Sequence, residues 1–86
     1  MLKLMFAPEA WEDYLYWQKQ DKKTLKRIHL LIQSIQRDGF SNGPGKPEKL
    51  RYKNGWSRRI DDANRLLYEE AGDCVYITSL RGHYDD

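Results

Sequence analysis

Between Gly39 and Pro47 the chain packs in three glycines and two prolines. A stretch of this kind is a loop, since glycine favours turns and proline lacks the N–H that helices and central strands need. It splits the 86-residue chain into two parts with different periodicities. Before the loop, Leu25, Ile28, Leu31, Ile32 and Ile35 recur at helical spacing, with Lys and Arg on the opposite side. Asp21 is placed to cap this helix and Gly39 to end it. An earlier helix is predicted from Pro8, where a missing N–H costs nothing, with Glu9 and Glu12 near its positive end. Its stripe of Ala10, Trp11, Tyr14, Leu15, Trp17 and Gln18 reads as core-facing. The break at Gln20–Asp21 makes the two helices a hairpin, and Leu2 to Phe6 reads as a short strand ahead of them.

After the loop come short stretches of strand character: Glu48 to Lys53, Trp56 to Ile60, Arg65 to Glu70 and Cys74 to Leu80. Asn54-Gly55 is a strong hairpin signal, and strands joined by such short turns run antiparallel. The expected fold class is α+β: an N-terminal strand and a helix hairpin packed on one face of an antiparallel sheet, the other face open. In Trp56-Ser57-Arg58-Arg59-Ile60 alternate residues face opposite ways, so either Arg58 or Arg59 points away from the helices. With Leu66 and Tyr68 facing the helices, Arg65 and Leu67 face out.

A chain this short buries roughly 60–65% of its unfolded surface, enough for one modest core, so residues 1–86 are expected to form a single domain. The single cysteine, Cys74, excludes an internal disulfide and suits a reducing cytoplasm. The apolar run Leu4 to Ala7 is too short for a membrane span or a signal peptide. These features exclude a disulfide scaffold, a membrane protein and a Rossmann enzyme.

The net charge of +2 hides an uneven distribution. Residues 1–18 sum to −2 (one Lys, three acids), residues 19–53 to +7 (ten Lys/Arg, three acids) and residues 54–86 to −3 (four Arg, seven acids). Lys19, Lys22, Lys23, Lys26 and Arg27 read as the solvated face of a helix. The cluster from Lys46 through Arg51, Arg58 and Arg59 to Arg65 is richer in Arg and turn residues and points to a polyanion, chiefly nucleic acid. Arg on an open sheet face beside a Lys-bearing loop is a cradle for a phosphate backbone.

His29, Cys74 and His83 match no zinc spacing, and there is no HExxH. A Walker loop fails because Gly39 and Gly45 are one residue too far apart and Pro47 follows Lys46. No Ser lies in a nucleophile elbow. What remains is an acid–base set that needs no metal or cofactor. Glu48 is the only acid between Asp38 and Asp61 and lies among Lys46, Lys49 and Arg51. His83 can move a proton near neutral pH. RNA carries its own nucleophile, the 2′-OH, so an RNase needs a base, cations for the phosphorane and an acid for the leaving oxygen. Glu48, the arginines and His83 could fill these roles.

The segments EAWEDYLYWQKQDKKTLKRI, GPGKPEKL, GWSRRI, NRLLYE and the terminal RGHY resemble the YoeB toxins of the RelE/ParE superfamily, in the family's order from Lys3 to Tyr84. The resemblance implies a small microbial-RNase-type fold. It also implies a ribosome-dependent mRNA endonuclease, the toxin of a toxin–antitoxin pair, that cuts mRNA in the ribosomal A site and leaves a 2′,3′-cyclic phosphate. By motif, Glu48 is similar to the family's general base, His83 to its general acid, Arg65 and Arg59 to its phosphate contacts, and Tyr84 to its substrate-positioning residue. Arg51 stands where the family often has Lys, and Asp85 and Asp86 extend past the usual terminal Tyr. The resemblance further implies mRNA, the ribosome and a cognate antitoxin as partners, and a homodimer. A ParE-like gyrase poison and an inert binding module of the same fold are the competing readings.

Overall fold

Pro8 opens the first helix, α1 (Pro8–Gln20), at a position where its ring fits and its absent donor is not missed. Asp21 ends that helix and caps the next, α2 (Lys22–Asp38), its side chain accepting from the backbone N–H of Lys23 at 3.1 Å and of Thr24 at 3.2 Å. The Thr24 hydroxyl adds a bond of 2.8 Å to the same carboxylate. These bonds, first among them that of the Thr24 side chain, hold the Asp21 carboxyl below its usual range. Gly39, at φ +96°, terminates α2 as expected.

The structure, a computed structural model, describes residues 1–51 and 54–83. Its five strands are β1 (Lys3–Phe6), β2 (Glu48–Lys49), β3 (Gly55–Arg59), β4 (Arg65–Ala71) and β5 (Cys74–Ser79), in one sheet of order β1-β5-β4-β3-β2. β2 to β5 are antiparallel neighbours, as the short turns require. β1 lies parallel to β5 at the far edge, with Leu4 opposite Val75 and Phe6 opposite Ile77.

Ile28, Leu31 and Ile35 of α2 and Ala10 and Trp17 of α1 meet Leu66, Tyr68, Val75 and Ile77 of the sheet, forming the core. The fold is thus α+β with the helices on one sheet face. No helix among the described residues is long and apolar enough to cross a membrane.

Two local expectations are corrected. The aromatic stripe of α1 is only partly core. Ala10 and Trp17 are buried and Tyr14 half-buried, but Trp11 and Leu15 are exposed. The stripe is wider than the surface it packs on, and Trp11 lies at its rim, stacked on Tyr14 with centroids 5.3 Å apart. Of the strand expected over Glu48 to Lys53, the described residues form strand at Glu48–Lys49 and leave it at Leu50 and Arg51. Its connection to β3 runs over 50–54, of which 52 and 53 lie outside the described residues. Asn54 takes φ +65°, and the Leu50 N–H donates to the Gly55 carbonyl at 2.9 Å.

Candidate active site

Strand register decides which charged side chains share a surface. Glu48 pairs with Ser57, Ser57 with Leu67, and Arg59 with Arg65. Leu66 and Tyr68 are buried towards the helices, so Arg65 and Leu67 lie on the open face, and Ser57 and Arg59 lie there with them. Opposed residues have Cα atoms about 4.5–5.5 Å apart, and diagonal neighbours are about 7–8 Å apart. Arg59 and Arg65 are an opposed pair, and Glu48 sits diagonally from Arg59. Glu48 is exposed and both arginines are half-buried. The Arg59 guanidinium pairs with the carboxylate of Asp62, itself fully exposed. Lys46, at φ +51°, is exposed just before β2, and Arg51 is exposed just after it.

The segment that leads to His83 is tied to the start of β4 by a chain of contacts that begins in the helices. Asp13 of α1 accepts from the Leu80 N–H at 3.0 Å, and the Trp17 indole N–H donates to the Leu80 carbonyl at 2.9 Å. The Arg81 guanidinium lies over the Tyr16 ring, 3.6 Å from its centroid. Gly82 is then held from both sides, its carbonyl accepting from the Arg65 N–H at 3.0 Å and its N–H donating to Asn64 Oδ1 at 2.8 Å. The Asn64 amide is itself oriented by Asp61, which accepts from Asn64 Nδ2 at 3.0 Å. Exposed His83 follows directly, beside the start of β4.

The sequence reading missed Asn64, Asp13 and Trp17 as groups that position the tail. Asn64 had a signal, its place in the NRL segment directly before Arg65. Tyr84, Asp85 and Asp86 lie outside the described residues.

Arg58 does not join this face. It was expected among the phosphate-binding cations, but it is fully buried on the helix side of β3. Nε donates to Tyr68 Oη at 2.9 Å. Nη1 reaches Ser34 Oγ and the Pro44 carbonyl, both at 3.2 Å. Nη2 reaches the carbonyls of Gly39 at 3.0 Å, Phe40 at 3.4 Å and Asn42 at 2.7 Å. The guanidinium thus has its hydrogen bonds met from within and ties the Gly/Pro loop to the sheet. Its charge is answered one bond further out, where the Ser34 hydroxyl donates to Asp38 Oδ2 at 3.3 Å. The Asp38 carboxyl is held below its ordinary range, first by the Arg37 side chain and also by the charge of Arg58. Burial pushes the Tyr68 phenol up, and the Arg58 hydrogen bond opposes that rise.

An acid and two opposed arginines on one open sheet face, with a tethered tail leading to a histidine beside β4, can be compared with known proteins. Residues 6–84 match the family described as YoeB-like toxin of bacterial type II toxin–antitoxin system. The chain belongs to this family. It is 50% identical to Toxin RelK of Mycobacterium tuberculosis over 98% of this chain and all of that one. Among solved structures it is similar to the YoeB dimer from Staphylococcus aureus (44% identity, TM-score 0.90, covering 96% of this chain and 98% of that one). It is also similar to the toxin chain of the YoeB-YefM complex from the same organism (42% identity, TM-score 0.88, covering 98% and 99%). Family membership agrees with the resemblance read from the motifs, and the architecture of the family is the one described above.

Proposed function

We propose that this toxin is a ribosome-dependent endoribonuclease that cuts mRNA in the A site by acid–base catalysis. The observation that carries the reading is the register that sets Glu48, Arg59 and Arg65 on one open face, with Gly82, the residue before His83, bonded to the Arg65 N–H. In this reading the Glu48 carboxylate takes the proton of the RNA 2′-OH. The 2′-oxygen attacks the adjacent phosphorus, and the bond from phosphorus to the 5′-oxygen breaks. His83 gives the leaving oxygen its proton, so the products are a 2′,3′-cyclic phosphate and a 5′-OH. Arg65 and Arg59 hold the non-bridging oxygens as negative charge builds on the phosphorane. Tyr84 positions the substrate, and Lys46 and Arg51 contact flanking phosphates. The reaction calls for no metal or cofactor.

The partners that follow are mRNA, ribosomal RNA around the A site and a cognate antitoxin. The antitoxin covers the basic open face with an acidic segment, and the toxin also pairs with a second copy of itself. The first partnership is suggested by the Staphylococcus aureus YoeB-YefM complex and the second by the dimer from the same organism. Work on ribosomes places the protein in the bacterial cytoplasm.

Glu48→Gln tests the mechanism. The amide keeps the size of the side chain and cannot act as base, so single-turnover cleavage on programmed ribosomes should fall roughly 10²–10⁴-fold in a folded variant. A wild-type rate would remove Glu48 from the mechanism. Failure of the wild-type protein to cut any mRNA, with inhibition of gyrase instead, would favour the ParE-like reading.

A further inference from the structure

Arg59 belongs to two surfaces. Its place in β3 sets it opposite Arg65, and it also lines a cleft of about 390 Å³ together with Arg27, Gly45, Lys46, Ile60 and Asp61. The cleft lies where α2, the end of the Gly/Pro loop and the end of β3 meet. Its walls are fixed by short contacts. The Arg59 N–H donates to the Gly45 carbonyl at 2.7 Å, and Arg27 Nη2 donates to the Arg59 carbonyl at 3.2 Å. Gly45 is pressed against Leu31, Arg58 and the Arg59 carbonyl so closely that a Cβ there would lie 2.9 Å from Leu31 Cδ2. Lys46 therefore leaves a pinned residue, at the rim of the cleft.

Among the described residues three cations thus line one cleft with a single acid, Asp61, and that carboxylate is already turned to its own loop. It accepts from the N–H of Ala63 at 2.9 Å, the N–H of Asn64 at 2.8 Å and the Asn64 amide at 3.0 Å. The other acid nearby, Asp62, holds Arg59 through a fully exposed pair, the kind that a competing anion displaces readily. Arg27 is half-buried, so its guanidinium reaches the cleft with part of its hydration already removed.

We propose that this cleft is a second phosphate subsite, in which Arg27, Lys46 and Arg59 hold a phosphodiester of an RNA strand next to the one being cut. The inference rests on the nuclease reading and extends it, making Arg27 a binding residue instead of part of a solvated helix face. The subsite would fix the register of the strand across the open face, because Arg59 is shared by the scissile phosphate and its neighbour. The phosphate has two possible sources, the mRNA itself or ribosomal RNA.

The test compares Arg27→Gln with Lys22→Gln, an equal loss of charge on the exposed surface of the same helix, and with Arg27→Lys, which keeps the charge. Binding of a short single-stranded RNA carrying a 2′-deoxy nucleotide at the cleavage position is followed by fluorescence anisotropy over a salt series. Cleavage on programmed ribosomes is measured alongside, and circular dichroism confirms folding. Arg27→Gln should weaken binding several-fold and flatten the slope of log K against log salt by about 0.7, the value for one phosphate contact on a single strand. Lys22→Gln should do less on both counts, and Arg27→Lys should keep the slope. A loss seen only on ribosomes, as a raised KM, would support the subsite and assign the phosphate to ribosomal RNA. Equal effects of Arg27→Gln and Lys22→Gln would overturn the subsite while leaving the nuclease reading intact. A loss confined to binding of an acidic antitoxin peptide would overturn it as well. A wild-type protein that neither binds nor cuts RNA would sink both readings together.

Discussion

On the helix side of the sheet Arg58 is fully buried, with six oxygen atoms within hydrogen-bonding distance of its guanidinium. One residue later, on the open side, Arg59 is half-exposed and its guanidinium is held, among the described residues, by one exposed carboxylate. The same side chain thus does opposite things on the two faces of β3. Arg58 supplies the five N–H donors that a loop full of unpaired carbonyls needs, which no apolar residue could do. Arg59 keeps its donors within reach of a displacing ligand. A basic cluster in a sequence is therefore a mixture, and the pleat of one strand separates the structural charge from the functional one.

The largest test of that contrast is Arg58→Met beside Arg59→Gln. Methionine approximates the length of the arginine stem, but it leaves the carbonyls of Gly39, Asn42 and Pro44 without their Arg58 donor, while that of Phe40 keeps the Tyr68 hydroxyl. Breaking a buried charged network typically costs about 3–5 kcal/mol, a large part of the about 5–15 kcal/mol that holds a small protein folded. Arg59→Gln should cost less than about 1 kcal/mol, as exposed ion pairs do, and should instead weaken RNA binding. Urea denaturation gives both numbers. Comparable losses of stability would erase the distinction between the faces.

Gly43 sharpens the same point without touching a charge. It sits at φ +117°, and a Cβ there would overlap Ser34 Oγ and lie 2.9 Å from Arg58 Nη1. Gly43→Ala therefore adds backbone strain of about 1–2 kcal/mol to an overpacking cost of about 1–3 kcal/mol. A loss of about 2–5 kcal/mol by urea denaturation is expected. A near-neutral result would mean that the loop does not depend on the Arg58 network for its shape.

On the open face the corresponding change is Asn64→Ala. It removes the acceptor that holds the Gly82 N–H and so loosens the approach of His83. Stability should fall by about 1 kcal/mol, the usual worth of one hydrogen bond. Cleavage should fall by roughly 10–100-fold, because misplacing a reacting group by about 1 Å is that costly. The loss should appear in kcat and in the limb of the pH–rate profile assigned to the acid. A raised KM with kcat unchanged would make Asn64 a binding residue and refute its positioning role.

Much of this arrangement was legible in the sequence, for reasons that are local. The 3.6-residue period of Leu25 to Ile35, the cap at Asp21, Pro8 at a helix start and Gly39 at a helix end depend on neighbours within a turn or two. The site residues Glu48, Arg65 and His83 came from motifs and charge, and register then placed Glu48 and Arg65 on one face. What was not legible depends on distant partners. Nothing in Lys3–Phe6 announces a parallel neighbour some seventy residues later in β5. Arg58 and Arg59 are identical in local pattern, and only Tyr68, Ser34 and the loop carbonyls decide which turns inward. The exposure of Trp11 likewise depends on how much of α1 the sheet and α2 cover.

The smallest effect is expected at Asp21, which belongs to neither face and so serves as a control on both. Its carboxylate caps α2 through the Thr24 hydroxyl and the N–H groups of Lys23 and Thr24, and these bonds favour the charged form. The folded-state pKa lies below the ordinary value of 3.8, so the unfolded chain takes up the proton first as pH falls. The stabilisation is therefore fully present above that ordinary value and is lost as pH drops through the lower, folded one. Asp21→Asn keeps a capping oxygen but loses the charge, and asparagine caps about as well as aspartate. The variant should melt slightly lower than wild type at neutral pH, and the gap should close below the ordinary carboxylate range. RNA binding and cleavage should not change, because the cap lies at the helix hairpin and contacts no residue of the open face. A gap that stays constant from neutral to acid pH would show that the Asp21 charge contributes nothing to the cap, leaving the oxygen's geometry to account for all of it.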